Sequence, residues 1–414
     1  MDDKKLTRRQ FIRNGTIAAA GLSSVLTTNI PASQKNENKP QESGPPKMPK
    51  RKLGKTEVEV PCLGLGTMFN LIDSQVVLRN TIKLGVKYWD TAHNYAGGNS
   101  ELGIGKFLAK NPEVRKDVFL ATKASGARTV ADVEKRLQTS LQRLNTKYID
   151  LYYAPHGASE PDQLTDELKL WAQSAKKRKL IRFFGFTTHK NMANCLAAAA
   201  KLDWIDAIMT SYNFRLMQDP KLLDAIEACH KAGIAIIAMK TTGKTTLTRF
   251  KLAIETEADK KLVSNFIKRG FSPEQAAIKL VLQDKRISTA PVQMENVAVL
   301  TKNVAAVLDK TKLTQTDMDI FKEYADATCT GYCAGCAHIC DAALPDTPYV
   351  SDIMRYLMYY NSYGDRDRAR ELFAQIPANV RNKLLNMNYS RAEARCPQRL
   401  PIGKLITEAV IKLT

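Results

Sequence analysis

From residue 51 to about residue 312, short apolar runs alternate with longer stretches whose apolar positions recur three and four residues apart. The runs occupy residues 62–66, 86–90, 118–123, 149–154, 181–186, 207–211, 234–239 and 287–291. Between them, stretches such as 131–144 and 218–232 carry one apolar stripe, the spacing of an amphipathic helix. Strands alternating with helices in this number, over about 250 residues, predict a (β/α)8 TIM barrel. Residues 51–61 alternate and contain a Gly54-Lys55-Thr56 turn, which predicts a hairpin under the barrel floor.

Outside this region the pattern changes. Residues 313–414 bring clustered cysteines followed by stretches that read as helices, a small and mainly α-helical C-terminal domain. Residues 34–50 are polar and rich in Pro, Lys and Asn, and read as a linker. Residues 1–33 hold Lys4, Lys5 and the pair Arg8-Arg9, followed by an apolar small-residue run over 15–25. That is the layout of a twin-arginine export signal. Its apolar part is shorter than the roughly 20 residues that span a bilayer. The expected organisation is therefore a signal over 1–33, a linker over 34–50, a barrel over 51–312 and a cysteine-rich iron–sulfur domain over 313–414. The expected location is the periplasm or another exported compartment, with no membrane span beyond the signal.

Composition alters this little. A hydrophobic fraction of 44% is that of a globular protein. The 62 Lys and Arg against 42 Asp and Glu leave a formal charge of +20. No zinc-finger or RRM pattern and no dense basic tract accompanies it, so it reads as a solvated basic surface and not a nucleic-acid footprint.

The cysteines change the picture more. Cys329, Cys333, Cys336 and Cys340 fall in one short run, and Cys396 follows later, directly before Pro397. Bacterial ferredoxins hold a [4Fe–4S] cluster with closely spaced cysteines and a Cys-Pro. Cys333, Cys336, Cys340 and Cys396 match that arrangement and are the expected ligands, with Cys329 an alternative or a bystander. A four-cysteine zinc site, which His338 could join, is the structural alternative. Disulfides are a second alternative, and the spacing of Cys329, Cys333 and Cys336 also copies that of radical-SAM proteins. Cys62, Cys195 and Cys229 are scattered, and the last two fall in helical patterns as core residues.

Barrels of this class place chemistry at the carboxyl ends of their strands. Asp90, Lys123 and His156 each fall at or just past the end of a different run, and Tyr95 lies in the loop after Asp90. A lysine ammonium beside a tyrosine lowers the phenol's pKa, which suits it to proton transfer. A carboxylate would hold that lysine, and a histidine could orient a carbonyl oxygen.

The stretch 51–68, then Asp90-Thr91-Ala92-His93-Asn94-Tyr95 with Ser100-Glu101, then 181–189, resembles the aldo/keto reductases. The resemblance covers roughly 51–307. It implies a catalytic tetrad at Asp90, Tyr95, Lys123 and His156, with Tyr95 as general acid/base. It also implies hydride exchange between NADP(H) and a small-molecule carbonyl or alcohol, with cofactor contacts at Thr67, Asn213 and Lys240. Three departures accompany it. His156 stands six residues after Asp150, where the family has five. Met209 occupies the register of a glutamine. The loop over 289–297 lacks the family's glycine and arginine. The expected function is an exported oxidoreductase whose cluster relays electrons, with an electron-transfer partner. The alternative is a non-catalytic barrel with a structural four-cysteine metal site, acting as a binding or scaffold protein. Loops over 158–163 and 241–248 are expected to shape the substrate pocket.

Overall fold

The computed structural model describes residues 47–243, 257–346, 349–363 and 365–414. The expected signal and most of the linker lie outside these residues.

Strands β1 (Lys50–Lys52) and β2 (Glu59–Pro61) form an antiparallel hairpin. Eight parallel strands follow: β3 (Leu63–Gly66), β4 (Tyr88–Asp90), β5 (Phe119–Lys123), β6 (Ile149–Ala158), β7 (Ile181–Thr188), β8 (Ala207–Ser211), β9 (Ala235–Met239) and β10 (Ile287–Gln293). They close in sequence order, β10 pairing with both β3 and β9. The (β/α)8 barrel read from the sequence is the fold observed.

The hairpin plugs the floor. Leu53 and Val60 are wholly buried and join Tyr88, Phe119, Leu151, Tyr153 and Ile237 in one apolar cluster inside the barrel. Its turn presses on the start of β9, where the Lys55 amide donates to the Gly233 carbonyl. Outside the strands, helices bury one stripe each. In the helix Val130–Arg143 that stripe is Val133, Leu137 and Leu141, and the helix starts at a capping box between Thr129 and Asp132. Burying each such side chain stabilises by about 1.5–3 kcal/mol. Cys195 and Cys229 are buried in this layer, as expected.

The helix Gln315–Ala327 lies on the barrel's outer layer, with Phe321 stacked against Phe214 and Phe266, each 4.8 Å between ring centres. The chain then builds a second apolar core. The helix Val350–Met358 buries Val350, Ile353, Met354 and Leu357, a three-and-four spacing. It runs into a π-helical turn, Tyr359–Tyr363. The helices Arg366–Ala374 and Ile402–Leu413 complete this core through Phe373, Ile402, Leu405 and Ile406. Among the described residues no helix is long and apolar enough to cross a membrane.

Polar contacts fasten this helical region to the top of the barrel, at the ends of β7 and β8. The Asn191 amide donates to the Gly335 carbonyl at 2.8 Å. Lys190 reaches Asp352 at 2.8 Å and Asp341 at 3.5 Å. Asn213 Nδ2 donates to the Tyr332 hydroxyl at 3.0 Å, and Arg215 donates to the Ala325 carbonyl and the Thr328 hydroxyl.

Candidate functional site

A cavity of about 480 Å³ opens at the carboxyl ends of the barrel strands. That volume suits a small-molecule site. Asp90 and Lys123 end β4 and β5, so both side chains turn into the cavity from adjacent strands. Lys123 Nζ donates to Asp90 Oδ1 at 2.5 Å and to the Thr91 carbonyl at 2.6 Å. It also lies 4.9 Å from the centre of the Tyr95 ring. Burial drives both members of the ion pair toward neutrality, Asp90 up and Lys123 down, and their mutual attraction opposes both shifts. Among the described residues the second Asp90 oxygen, which is buried, has no partner.

His156 joins this group across the cavity, 6.3 Å from Tyr95 between ring centres and edge-on to it. The residue added before it does not move it out of reach. Strand β6 runs on to Ala158, and its pairing with β7 shifts register between Tyr153 and His156, so the extra residue is absorbed in the ladder. Burial holds the imidazole well below its usual pKa, and the charges of Lys123, Arg368 and Arg355 push the same way. His156 is therefore neutral near pH 7. The four residues expected at strand ends thus face one space.

Hydrogen bonds continue behind His156. Its Nδ1 is 2.7 Å from Ser125 Oγ. The Asn94 amide bridges Ser125 and Arg368: one terminal atom is 2.7 Å from Ser125 Oγ, the other 2.9 and 3.1 Å from Arg368 Nη2 and Nε. A guanidinium only donates, so the Asn94 oxygen faces Arg368 and its nitrogen faces Ser125.

The three cofactor candidates fare differently. Thr67 lines the cavity, but its hydroxyl donates to the Asp90 carbonyl and accepts from Ser100. Asn213 is wholly buried and spent. Its nitrogen donates to the Lys240 carbonyl and to Tyr332, and its oxygen accepts from the Arg215 and Leu216 amides. Lys240 does line the cavity, with the Met358 sulfur 3.9 Å from its Nζ. Burial pulls its ammonium down to about 7, helped by Arg355 and opposed by Cys333. Met209 reaches the cavity and offers no amide-binding group.

The pocket walls correct one expectation. Gly157 lines the cavity but 158–163 do not. Thr241 and Thr242 do line it, while 244–248 lie outside the described residues. The missing wall comes from the C-terminal helices through Asp352, Arg355, Tyr356, Tyr359 and Arg368. No motif marks these residues in the sequence.

Cys333, Cys336, Cys340 and Cys396 line a second, small cavity, walled by Ile339, Val350, Met354, Leu400 and Ile402. Cys329 does not line it; its sulfur accepts from Arg399 at 3.4 Å. Burial raises Cys333 and pushes Cys336 up to about 12, so a metal group would have to displace their protons. All the described cysteines are free thiols. Among the described residues no three His, Cys, Asp or Glu side chains converge on a single metal-ion position.

Known proteins share the barrel. The aldo/keto reductase family model matches residues 62–326. L-galactose dehydrogenase of Arabidopsis thaliana is 27% identical over 282 residues, covering 63% of this chain and 88% of that protein. The Schizosaccharomyces pombe NADP(+) aldo-keto reductase yakc is 29% identical over 221 residues, and the match spans 49% of this chain and 63% of yakc. Among solved structures, the holo form of aldo-keto reductase AKR11C1 from Bacillus halodurans superposes with a TM-score of 0.55 at 24% identity, over 67% of this chain and 96% of that one. That likeness speaks for the fold alone.

Proposed function

The chain belongs to the aldo/keto reductase family, and on that footing we propose that its barrel interconverts a small carbonyl compound and the matching alcohol, with Tyr95 giving or taking the proton. The observation that carries this reading is Lys123, which touches Asp90 and the Tyr95 ring at the cavity wall with His156 opposite. An ammonium beside the phenol stabilises the phenolate left when the proton departs. In the reducing direction the carbonyl carbon gains a hydride and its oxygen gains a proton. Tyr95 supplies the proton, and neutral His156 steers the oxygen.

NADP(H), the cofactor named for the fission-yeast relative, would supply the hydride when bound. Asn213 does not fit the role of holding a nicotinamide amide, because its side chain is saturated by internal bonds, and Thr67 has its one hydroxyl hydrogen committed to the Asp90 carbonyl. Lys240 lines the cavity and stays a candidate contact for the cofactor. This chain's residues therefore account for the proton half of the reaction.

Cys333, Cys336, Cys340 and Cys396 would hold a [4Fe–4S] cluster, for which four thiolates are a usual ligand set. Their shared cavity and the Cys-Pro spacing support that reading. Bound there, the cluster would supply a one-electron port to a redox partner. Arg8-Arg9 with its apolar run supports export by the twin-arginine route, with cofactors loaded beforehand.

Tyr95→Phe tests the catalytic reading. It removes one hydroxyl, and carbonyl turnover is expected to fall roughly 10²–10⁴-fold with circular dichroism unchanged. Turnover retained in that variant would overturn the role of Tyr95.

A further inference from the structure

The hydrogen-bond chain behind His156 begins in the C-terminal helices and has a fixed direction. Arg368, on the helix Arg366–Ala374, is anchored through Nη1 to Glu371 Oε2 at 2.7 Å. Its Nε and Nη2 point at the Asn94 amide. Because the guanidinium has no acceptor, Asn94 must present its oxygen there and its NH2 to Ser125. Ser125 Oγ therefore receives a hydrogen from Asn94. Its own hydrogen has one acceptor within reach among the described residues, His156 Nδ1. Nδ1 is then an acceptor, and the single proton of the neutral imidazole sits on Nε2.

We propose that Arg368 is a positioning residue for the barrel's chemistry: acting through Asn94 and Ser125, it holds His156 as the Nε2–H tautomer, able to donate a hydrogen bond to the substrate's carbonyl oxygen. This rests on the reading of Tyr95 and His156 given above. The barrel supplies every group that touches substrate in this step, and the C-terminal helices supply its polarity. Among the described residues, Arg368 is what distinguishes the two ends of the Asn94 amide. Turned over, Asn94 would accept from Ser125, Ser125 would accept from Nδ1–H, and Nε2 would face the carbonyl oxygen as a second acceptor. Two acceptors repel.

The test reads the tautomer directly. In the full-length protein carrying ¹⁵N-histidine, the ring nitrogen shifts separate Nε2–H from Nδ1–H, and His156→Gln identifies its signals among the five histidines. The expected wild-type state is Nε2–H. Asn94→Asp keeps the shape and reverses the polarity, since a carboxylate accepts from both Arg368 and Ser125. It is expected to switch His156 to Nδ1–H and to lower kcat on the order of 10²-fold, the low end of what proton-transfer groups contribute, with little change in KM. Arg368→Met should give a mixed tautomer and a similar loss, and Arg368→Lys, which still donates to Asn94, should restore part of it. Nδ1–H in the wild type, or an Asn94→Asp variant that keeps both Nε2–H and its kcat, overturns the proposal. Failure of the catalytic reading looks different: Tyr95→Phe would stay active while the tautomer still responded to Asn94→Asp.

Discussion

Three histidines held below their usual pKa are expected to make this fold acid-sensitive. His93 is the clearest. Burial, with Arg136 and Arg143 pushing the same way, brings its pKa down to about 4. His156 and His189 are also held well below the usual value, burial again leading. A depressed histidine pKa means that the unfolded chain binds protons the fold refuses, so stability is complete above about pH 6.5 and declines as the pH falls toward the folded value. Urea unfolding at pH 7 and pH 5 should show the midpoint dropping at the lower pH, and His93→Gln should shrink that drop. An undiminished drop would assign it to His156 and His189. Sequence reading reached the four strand-end residues because each sits where a barrel exposes chemistry. It did not reach Ser125, Asn94 or Arg368. Those are ordinary polar residues until the fold links them in a chain that ends at His156, each within 3.1 Å of the next.

At the level of elements, the eight apolar runs located every barrel strand, and the errors lie at their ends. Strands β6, β7 and β10 run beyond the apolar residues that signalled them, as far as Ala158, Thr188 and Gln293. Pairing with neighbours holds those last residues extended whatever their polarity. The cysteine loop has a stricter requirement, which the sequence does not display. Gly335 has φ +77°, and a Cβ there would stand 2.1 Å from the His189 carbonyl oxygen. Gly335→Ala therefore combines backbone strain of roughly 1–3 kcal/mol with a clash against β7's end. Gly270, at φ +81° with nothing within 4 Å of such a Cβ, supplies a comparison that isolates the strain. Thermal unfolding should show a larger fall in Tm for Gly335→Ala than for Gly270→Ala. Equal falls would show that the loop yields at no cost.

Across the whole molecule, the barrel and the C-terminal apolar core are fastened by polar bonds, with the catalytic candidates at the top of the first and four thiols packed against the second. That Cys333, Cys336, Cys340 and Cys396 come together was legible in their spacing, and the fold places all four around one small cavity. How the helical region docks was not, since it depends on shape between segments far apart in the chain. Iron analysis checks the set: Cys333→Ser, Cys336→Ser, Cys340→Ser and Cys396→Ser should each lose iron, and Cys329→Ser should keep it. Full iron in the Cys396 variant would remove that residue from the ligands. The cavity's composite wall also has a consequence in time. Its floor is translated early, with Asp90, Tyr95 and Lys123, and its opposite side much later, with Arg355 and Arg368. A ribosome that has finished the entire barrel has therefore made a vessel without a lid. A nascent or truncated chain lacks the Arg355 and Arg368 side of that wall, and the cavity is complete only once the C-terminal helices have been made.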